Sequence, residues 1–217
     1  MKHLLLILLL VISSGCTFKN MITYGQVQGL DSYISNKANF SLTAPAEWIP
    51  TTICPIPGME SIANRSLVQR NQFAENGYFY KTDMSAIIIV QTLYLLLDER
   101  LIRPDEITNN DDNISRFNAL CDMRIKYYEK VFQNASIVSK ECIPLKIGDP
   151  CTIGNPCPEL VLAIDITGRD APKMLTKSYI ISDNKGDGWM VLFILISKPN
   201  DLYRNEPALD KLIGSMK

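Results

Sequence analysis

Apolar and polar positions alternate in parts of this chain and form unbroken apolar runs in others, and both patterns predict strands. Phe40, Leu42 and Ala44 alternate with polar residues, which is typical of a half-buried strand. Residues 85–97 are rich in β-branched side chains and predict a long strand. Inside that strand, and again at 189–196, the apolar run is continuous. Such strands need cover on both faces of their sheet.

Helical spacing predicts two helices that can supply this cover. The first has one apolar stripe in steps of three and four residues, formed by Ile114, Phe117, Cys121, Ile125, Tyr128 and Phe132. Its N-cap is expected at Asp112 or Asn113. The second follows Pro207 and has apolar residues at Leu209, Leu212, Ile213 and Met216.

Turn-forming residues divide the rest of the chain into further strands. A candidate strand at 66–73 is followed by Asn76-Gly77, a strong hairpin signal. Residues 177–182 and 189–197 flank a turn rich in Asp, Asn and Gly, as in a second hairpin. Two more strands are expected, at 136–147 and 159–167. This order predicts an α+β fold with a mostly antiparallel sheet covered by helices on both faces, an α/β/α sandwich.

The first sixteen residues follow a different pattern. A positive start at Lys2 precedes an apolar run at 4–12. Nine residues of helix cover about 14 Å, whereas a bilayer requires about 20 residues. The run therefore predicts an export signal that is cut off, and not a membrane span.

Ser13-Ser14-Gly15-Cys16 resembles the lipobox of bacterial lipoproteins, although Ser13 stands where that family usually has Leu. The resemblance implies that Cys16 becomes the first residue and carries diacylglycerol and a further acyl chain such as palmitate. Two or three chains, at about 0.8 kcal/mol per buried methylene, attach a protein permanently. Thr17, in place of the Asp that retains enterobacterial lipoproteins in the inner membrane, favours the outer membrane, with the domain in the periplasm. An ordinary signal peptide is the alternative, because Ser13 and Gly15 also fit the small-x-small cleavage rule.

Composition and charge exclude several kinds of chemistry. The chain has 217 residues, with 22 Lys plus Arg against 23 Asp plus Glu. Without Lys2 the balance is 21 to 23, a formal charge of −2, so neither nucleic acid nor a polybasic contact with lipid headgroups is expected. The one histidine, His3, lies in the leader. The mature chain then has no imidazole for a Ser/His/Asp triad, a Cys/His dyad or a zinc site, and no metal or cofactor is expected.

Six cysteines occur, and five remain once the lipidated one is set aside, so at least one is unpaired or bonds between molecules. Turn-forming residues bring Cys151 and Cys157 together in a short loop and favour a disulfide. Their spacing does not fit the two-residue spacing of redox pairs. A second candidate bridge joins Cys54 to Cys142. Cys121, on the predicted helix, is expected as a buried thiol.

Asn39-Phe40-Ser41-Leu42, followed by Pro45 and Trp48, looks like the opening of PsbP-like domains, and the closing hairpin and helix are similar to their end. That family includes the extrinsic photosystem subunit, a nuclear import factor and several bacterial lipoproteins. The resemblance implies a central antiparallel sheet between helices and a role in binding or assembly. Residues 50–99 depart most from the family pattern.

Two acidic segments could bind a cation, but each has a structural explanation. Residues 183–188 have the Asp and Gly content of a calcium loop, yet Lys185 and Ile194 occupy the third and twelfth positions, where oxygen ligands belong. A hairpin turn explains this segment. The second acidic segment is explained as a solvated loop whose last carboxylates interact favourably with the positive end of the following helix. Its carboxylates are Asp105, Glu106, Asp111 and Asp112.

These patterns predict three regions: a signal peptide (1–15), a lipidated N-terminus and tether (16–38) and a single globular domain (39–217). As a flexible chain, the tether would reach on the order of 25 Å, although its apolar residues also allow an N-terminal strand. The predicted function is that of a membrane-anchored cell-envelope lipoprotein that binds an envelope protein or a small apolar ligand without catalysis. The alternative is an envelope enzyme that uses carboxylates or a cysteine thiol.

Overall fold

A computed structural model describes residues 22–55, 74–97, 100–131, 135–166 and 172–217. The strands, numbered in chain order, are β1 (Ile22–Tyr24), β2 (Gln26–Gln28), β3 (Ser32–Ile34), β4 (Ser41–Thr43), β5 (Trp48–Thr51), β6 (Ala74–Lys81), β7 (Ala86–Tyr94), β8 (Leu96–Leu97), β9 (Arg100–Leu101), β10 (Ala135–Cys142), β11 (Cys157–Ile166), β12 (Lys173–Ser182) and β13 (Gly188–Ser197). The helices are α1 (Pro104–Thr108), α2 (Asp111–Val131) and α3 (Leu202–Gly214).

One large sheet dominates the described part of the chain. Its strand order is β1-β6-β7-β13-β12-β11-β10, and β5 also pairs with β6. The pairings are antiparallel except that of β1 with β6. All ten residues of the central strand β13 are buried, because its apolar run is continuous. The α+β class with a mostly antiparallel sheet is therefore confirmed. A smaller sheet has the order β2-β3-β4.

Neighbouring residues of the central strands belong to separate apolar clusters. Val90 of β7 packs in a cluster that includes Leu209 of α3. Ile89, next to it in the same strand, packs in another cluster with Ile125 of α2. Successive side chains of a strand point to opposite faces, so both faces of β7 are buried.

The two long helices begin earlier than the sequence predicted. The N-cap of α2 is Asn110, whose Oδ1 accepts hydrogen bonds from the backbone N–H groups of Asp112 (3.0 Å) and Asn113 (3.2 Å). The predicted cap positions are wrong, because both residues already lie in the first turn. Helix α3 begins before Pro207 because Leu202 adds to its buried stripe. Among the described residues, no helix combines the length and apolar character needed to cross a membrane.

The hairpin predicted at Asn76-Gly77 is wrong, because both residues lie inside β6. The glycine has another reason to be there: a Cβ atom at Gly77 would collide with the ring of Tyr33. The hairpin of β12 and β13 is confirmed, with its turn at 183–187. The candidate strand at 66–73 lies outside the described residues.

The segment predicted as a tether is largely part of the fold. Strands β1, β2 and β3 lie within it, and Tyr33 and Ala38 are fully buried. These apolar side chains gain stability by packing on the sheet, which a solvated linker would forgo. The chain therefore enters the fold by Ile22, and not after residue 38.

Candidate functional site

The candidate site lies at one end of the large sheet, where a disulfide closes a loop. Cys151 and Cys157 are bonded, with their Cα atoms 5.0 Å apart, which is the pair that the surrounding turn residues predicted. Both are buried in a cluster with Ile107 of α1 and Phe117 of α2. The bridge thus holds the loop against both helices.

Hydrogen bonds from three sides fix this disulfide loop, which comprises residues 143–157. A loop held at so many points presents its surface groups in a defined geometry. The bonds run from Leu145 N–H to Asn118 Oδ1 (3.2 Å), from Gly148 N–H to the Thr108 carbonyl (3.0 Å) and from Ser182 N–H to the Cys151 carbonyl (2.9 Å).

Two cavities flank the disulfide loop. The larger, about 430 Å³, lies between the loop, the start of α1 and the β12–β13 turn. The smaller, about 270 Å³, lies on the other side of the loop. Asp149 and Pro150 line both. A change in the loop would therefore alter the two cavities together.

The larger cavity contains charged groups of both signs. Arg103, just before α1, lies beside Gly186, whose φ of +85° is a backbone conformation that favours glycine. Asp105 and Asp149 contribute carboxylates. Oδ2 of Asp149 accepts a hydrogen bond from the backbone N–H of Lys146 at 2.8 Å, which orients the carboxylate. This arrangement suits a ligand with neighbouring positive and negative groups.

A carboxylate in β6 is buried away from both cavities. Glu75 accepts hydrogen bonds from the Tyr33 hydroxyl (3.4 Å) and from the backbone N–H of Asn36 (3.1 Å). Burial raises the pKa of the Glu75 carboxyl, although hydrogen bonds from Ser35, Asn36 and Lys37 oppose the shift. Burial, and then the charge of Glu75, raise the pKa of Tyr33. Neither side chain lines either of the two cavities at the disulfide loop, and the pair fastens β3 to the large sheet.

The remaining cysteines differ from the prediction. Cys142 is disulfide-bonded, whereas Cys54 is a thiol, so the predicted Cys54–Cys142 bridge is wrong. Cys54 follows β5 and Cys142 ends β10, at opposite edges of the large sheet, about 29 Å apart at six strand spacings. Cys16 and the side chain of Cys121, predicted to be lipidated and to be a buried thiol, lie outside the described residues.

The acidic segments belong to a turn and to helix starts. The carboxylate of Asp183 accepts hydrogen bonds from the backbone N–H groups of Lys185 (2.8 Å) and Asp187 (2.9 Å) and from the indole N–H of Trp189 (3.1 Å). Protein donors thus occupy this carboxylate. First turns of α1 and α2 contain the other acids, Asp105, Glu106, Asp111 and Asp112. Within the described ranges, no group of three or more His, Cys, Asp or Glu is placed to hold a metal ion.

Sequence reasoning missed Arg103 and Glu75. The Arg103-Pro104 pair contains a signal for the first, because Pro is frequent at the first position of a helix. Glu75 has no local signal, since its partner Tyr33 is 42 residues away.

No family model and no curated protein matches the sequence. Among solved structures, LpqN of Mycobacterium tuberculosis, described as involved in cell envelope biogenesis, is similar at 9% identity and a TM-score of 0.39, over 90% of this chain and 87% of that chain. The Ran-binding protein Mog1p of Saccharomyces cerevisiae is similar at 6% identity and a TM-score of 0.39, over 88% of this chain and 96% of that chain. The function of this chain is therefore inferred from its own residues.

Proposed function

We propose that the chain is an exported lipoprotein, acylated at Cys16 after removal of residues 1–15. Its folded domain works without catalysis, as a binding or assembly module at a membrane of the cell envelope. The observation that carries the proposal is the apolar leader followed directly by small residues and a cysteine. The proposed location is the periplasmic side of the outer membrane, as Thr17 favours.

The proposed binding surface is the cavity end of the sheet. Arg103 and Asp149 supply opposite charges there, and Ile147 of the disulfide loop is 63% exposed and adds an apolar contact. An envelope protein with neighbouring charged groups fits this surface better than a small apolar ligand. The Cys151–Cys157 bridge supports an oxidising compartment for the domain.

The proposal includes helices on both faces of the sheet, as in the α/β/α sandwich of PsbP-like domains. Support comes from Leu209 of α3 and Ile125 of α2, which pack in different clusters. Each cluster also contains residues of β7. Val90 and Ile89 are neighbours in that strand, so their side chains project to opposite faces of the sheet.

The enzymatic alternative would rely on the Cys54 thiol or on buried carboxylates. Glu75, which already accepts several protein hydrogen bonds, favours a structural use of the carboxylates. A thiol-reactive probe applied to the native protein at neutral pH tests the thiol version. Rapid labelling of Cys54 would support that version, and absence of labelling would remove it.

The anchor is tested by Cys16→Ala. The parent protein is expected in the detergent-requiring membrane fraction and to incorporate labelled palmitate, whereas the variant is expected to be soluble or unprocessed. Palmitate incorporation that survives the substitution would contradict the proposal. Intact-mass analysis of the parent gives the same answer directly, because lipidated Cys16 should be the first residue.

The binding surface is tested by photo-crosslinking in intact cells. A photoreactive residue at Ile147 is compared with one at Val138 of β10, which is similarly exposed at 60% against 63%. A discrete envelope protein captured from Ile147 and not from Val138 would support the cavity end. Equal capture from both positions would count against it.

A further inference from the structure

Strands β1 and β5 lie end to end along one edge of the large sheet. Tyr24 of β1 pairs with Asn76 of β6, and Thr51 of β5 pairs with Tyr78. Because β7 pairs with β6 from Ala74 to Tyr80, the two short strands both occupy the other side of β6. We name this feature, with the residues that follow β5, the β1–β5 edge.

Three exposed apolar side chains lie on the β1–β5 edge. Tyr24 is 44% exposed, Ile49 is 37% exposed and Ile53 is 76% exposed. Tyr24 pairs with Asn76 and Ile49 pairs with Tyr80. These partners are four positions apart in β6, an even offset, so Tyr24 and Ile49 project to the same face of the sheet.

The chain between Cys16 and this edge is short. Five residues lie between Cys16 and Ile22, the first residue of β1, and the six steps from Cys16 to Ile22 span at most about 22 Å. Strand β6 has eight residues and is about 26 Å long. The tether is shorter than β6. If the end of β6 at Lys81 touched the bilayer with the strand upright, Ile22, which pairs with Ala74 at the start of β6, would lie too far from the membrane for a lipid on Cys16 to reach it.

The acidic residues of α1 lie far from this edge. Helix α1, which carries Asp105 and Glu106, contacts β12. Strand β12 is four positions from β1 in the sheet, or about 19 Å. This distance exceeds the screening length of about 8 Å at physiological salt, so those carboxylates add little repulsion from anionic headgroups.

We propose that the β1–β5 edge lies on the bilayer that holds the anchor, with Tyr24, Ile49 and Ile53 at the boundary between headgroups and acyl chains. The inference rests on the proposed lipidation of Cys16. It adds a second, protein-mediated contact that sets the orientation of the domain on the membrane.

The test uses the lipidated full chain in vesicles of phosphatidylglycerol and phosphatidylcholine with brominated acyl chains, which quench tryptophan at short range. Ile53→Trp is compared with Tyr203→Trp in α3, a matched control because Tyr203 is 75% exposed against 76% for Ile53. Emission of the buried Trp48 and Trp189 is subtracted with the parent protein. The tryptophan introduced by Ile53→Trp should be quenched at least about twofold more than the one introduced by Tyr203→Trp.

Three negative outcomes can be told apart. Equal quenching in protein whose intact mass shows the lipid would overturn the orientation and leave the anchor standing. An intact mass without lipid would overturn the anchor and, with it, the orientation. If the emission of the Ile53→Trp variant changes only after a second protein is added, the edge binds that protein, and the lipid contact is overturned.

Discussion

The hydroxyl of Tyr33 donates a hydrogen bond to the buried carboxylate of Glu75 at 3.4 Å, and this contact joins the small sheet to the large one. Both residues are almost fully buried. The ring of Tyr33 also covers Gly77, and it lies against Gly25 at the exit of β1. The N-terminal strands are thus held by a polar contact inside an apolar layer, close to the proposed anchor.

Stability should depend on pH through Glu75. Burial raises the pKa of Glu75 in the folded protein above the ordinary 4.5 of the unfolded chain. At a pH between the ordinary and the raised pKa, the folded protein therefore holds a proton that the unfolded chain has released. The contribution of this group is complete below pH 4.5 and is lost as pH rises through the raised pKa. Glu75→Gln should flatten this part of the stability profile, measured by urea unfolding from pH 4 to 8. The exposed Glu106→Gln variant should keep the slope of the parent, and an unchanged slope in Glu75→Gln would refute the assignment.

Gly77→Ala should destabilise the fold by about 1–3 kcal/mol, because the new methyl group overpacks against the Tyr33 ring. Gly154→Ala is the control, since a Cβ there meets no atom within 4 Å and should change stability by less than about 0.5 kcal/mol. Denaturant unfolding of both variants provides the measurement. Equal effects at the two glycines would show that Tyr33 does not constrain β6.

Particular residues explain what the sequence could and could not predict. The β12–β13 hairpin was predictable because two apolar runs flank a turn that Asp183 organises within six residues. Gly77 was misread as a turn because its reason, the Tyr33 ring, comes from 44 residues earlier. The cavity end was equally hidden, because Arg103 and Asp149 come to line one cavity only after α1 and the disulfide loop have packed. Local periodicity thus predicted strands, helices and the β12–β13 turn. The roles of Gly77, Arg103 and Asp149 depend on contacts between residues distant in sequence and could not be predicted in this way.

The Cys151–Cys157 bridge should stabilise the folded state by about 2 kcal/mol, the amount expected for so short a closed loop. Replacing both cysteines by serine should lower the free energy of unfolding by this amount. Peptide mapping without reduction should find Cys151 joined to Cys157, Cys142 in a disulfide and Cys54 as a thiol. A peptide joining Cys54 to Cys142 would contradict the structure.

Arg103 should matter for binding and not for folding. Its side chain is exposed, and within the described residues it forms no ion pair, so Arg103→Ala should change the free energy of unfolding by less than about 0.5 kcal/mol. The same variant removes the positive group of the larger cavity and should reduce crosslinking from Ile147 several-fold. Lys185→Ala, which removes an exposed charge on the neighbouring turn, is the control and should leave crosslinking unchanged. Loss of crosslinking in both variants would indicate that the partner is attracted by net charge. Loss in neither variant would show that Arg103 in the larger cavity does not contribute to binding of the partner.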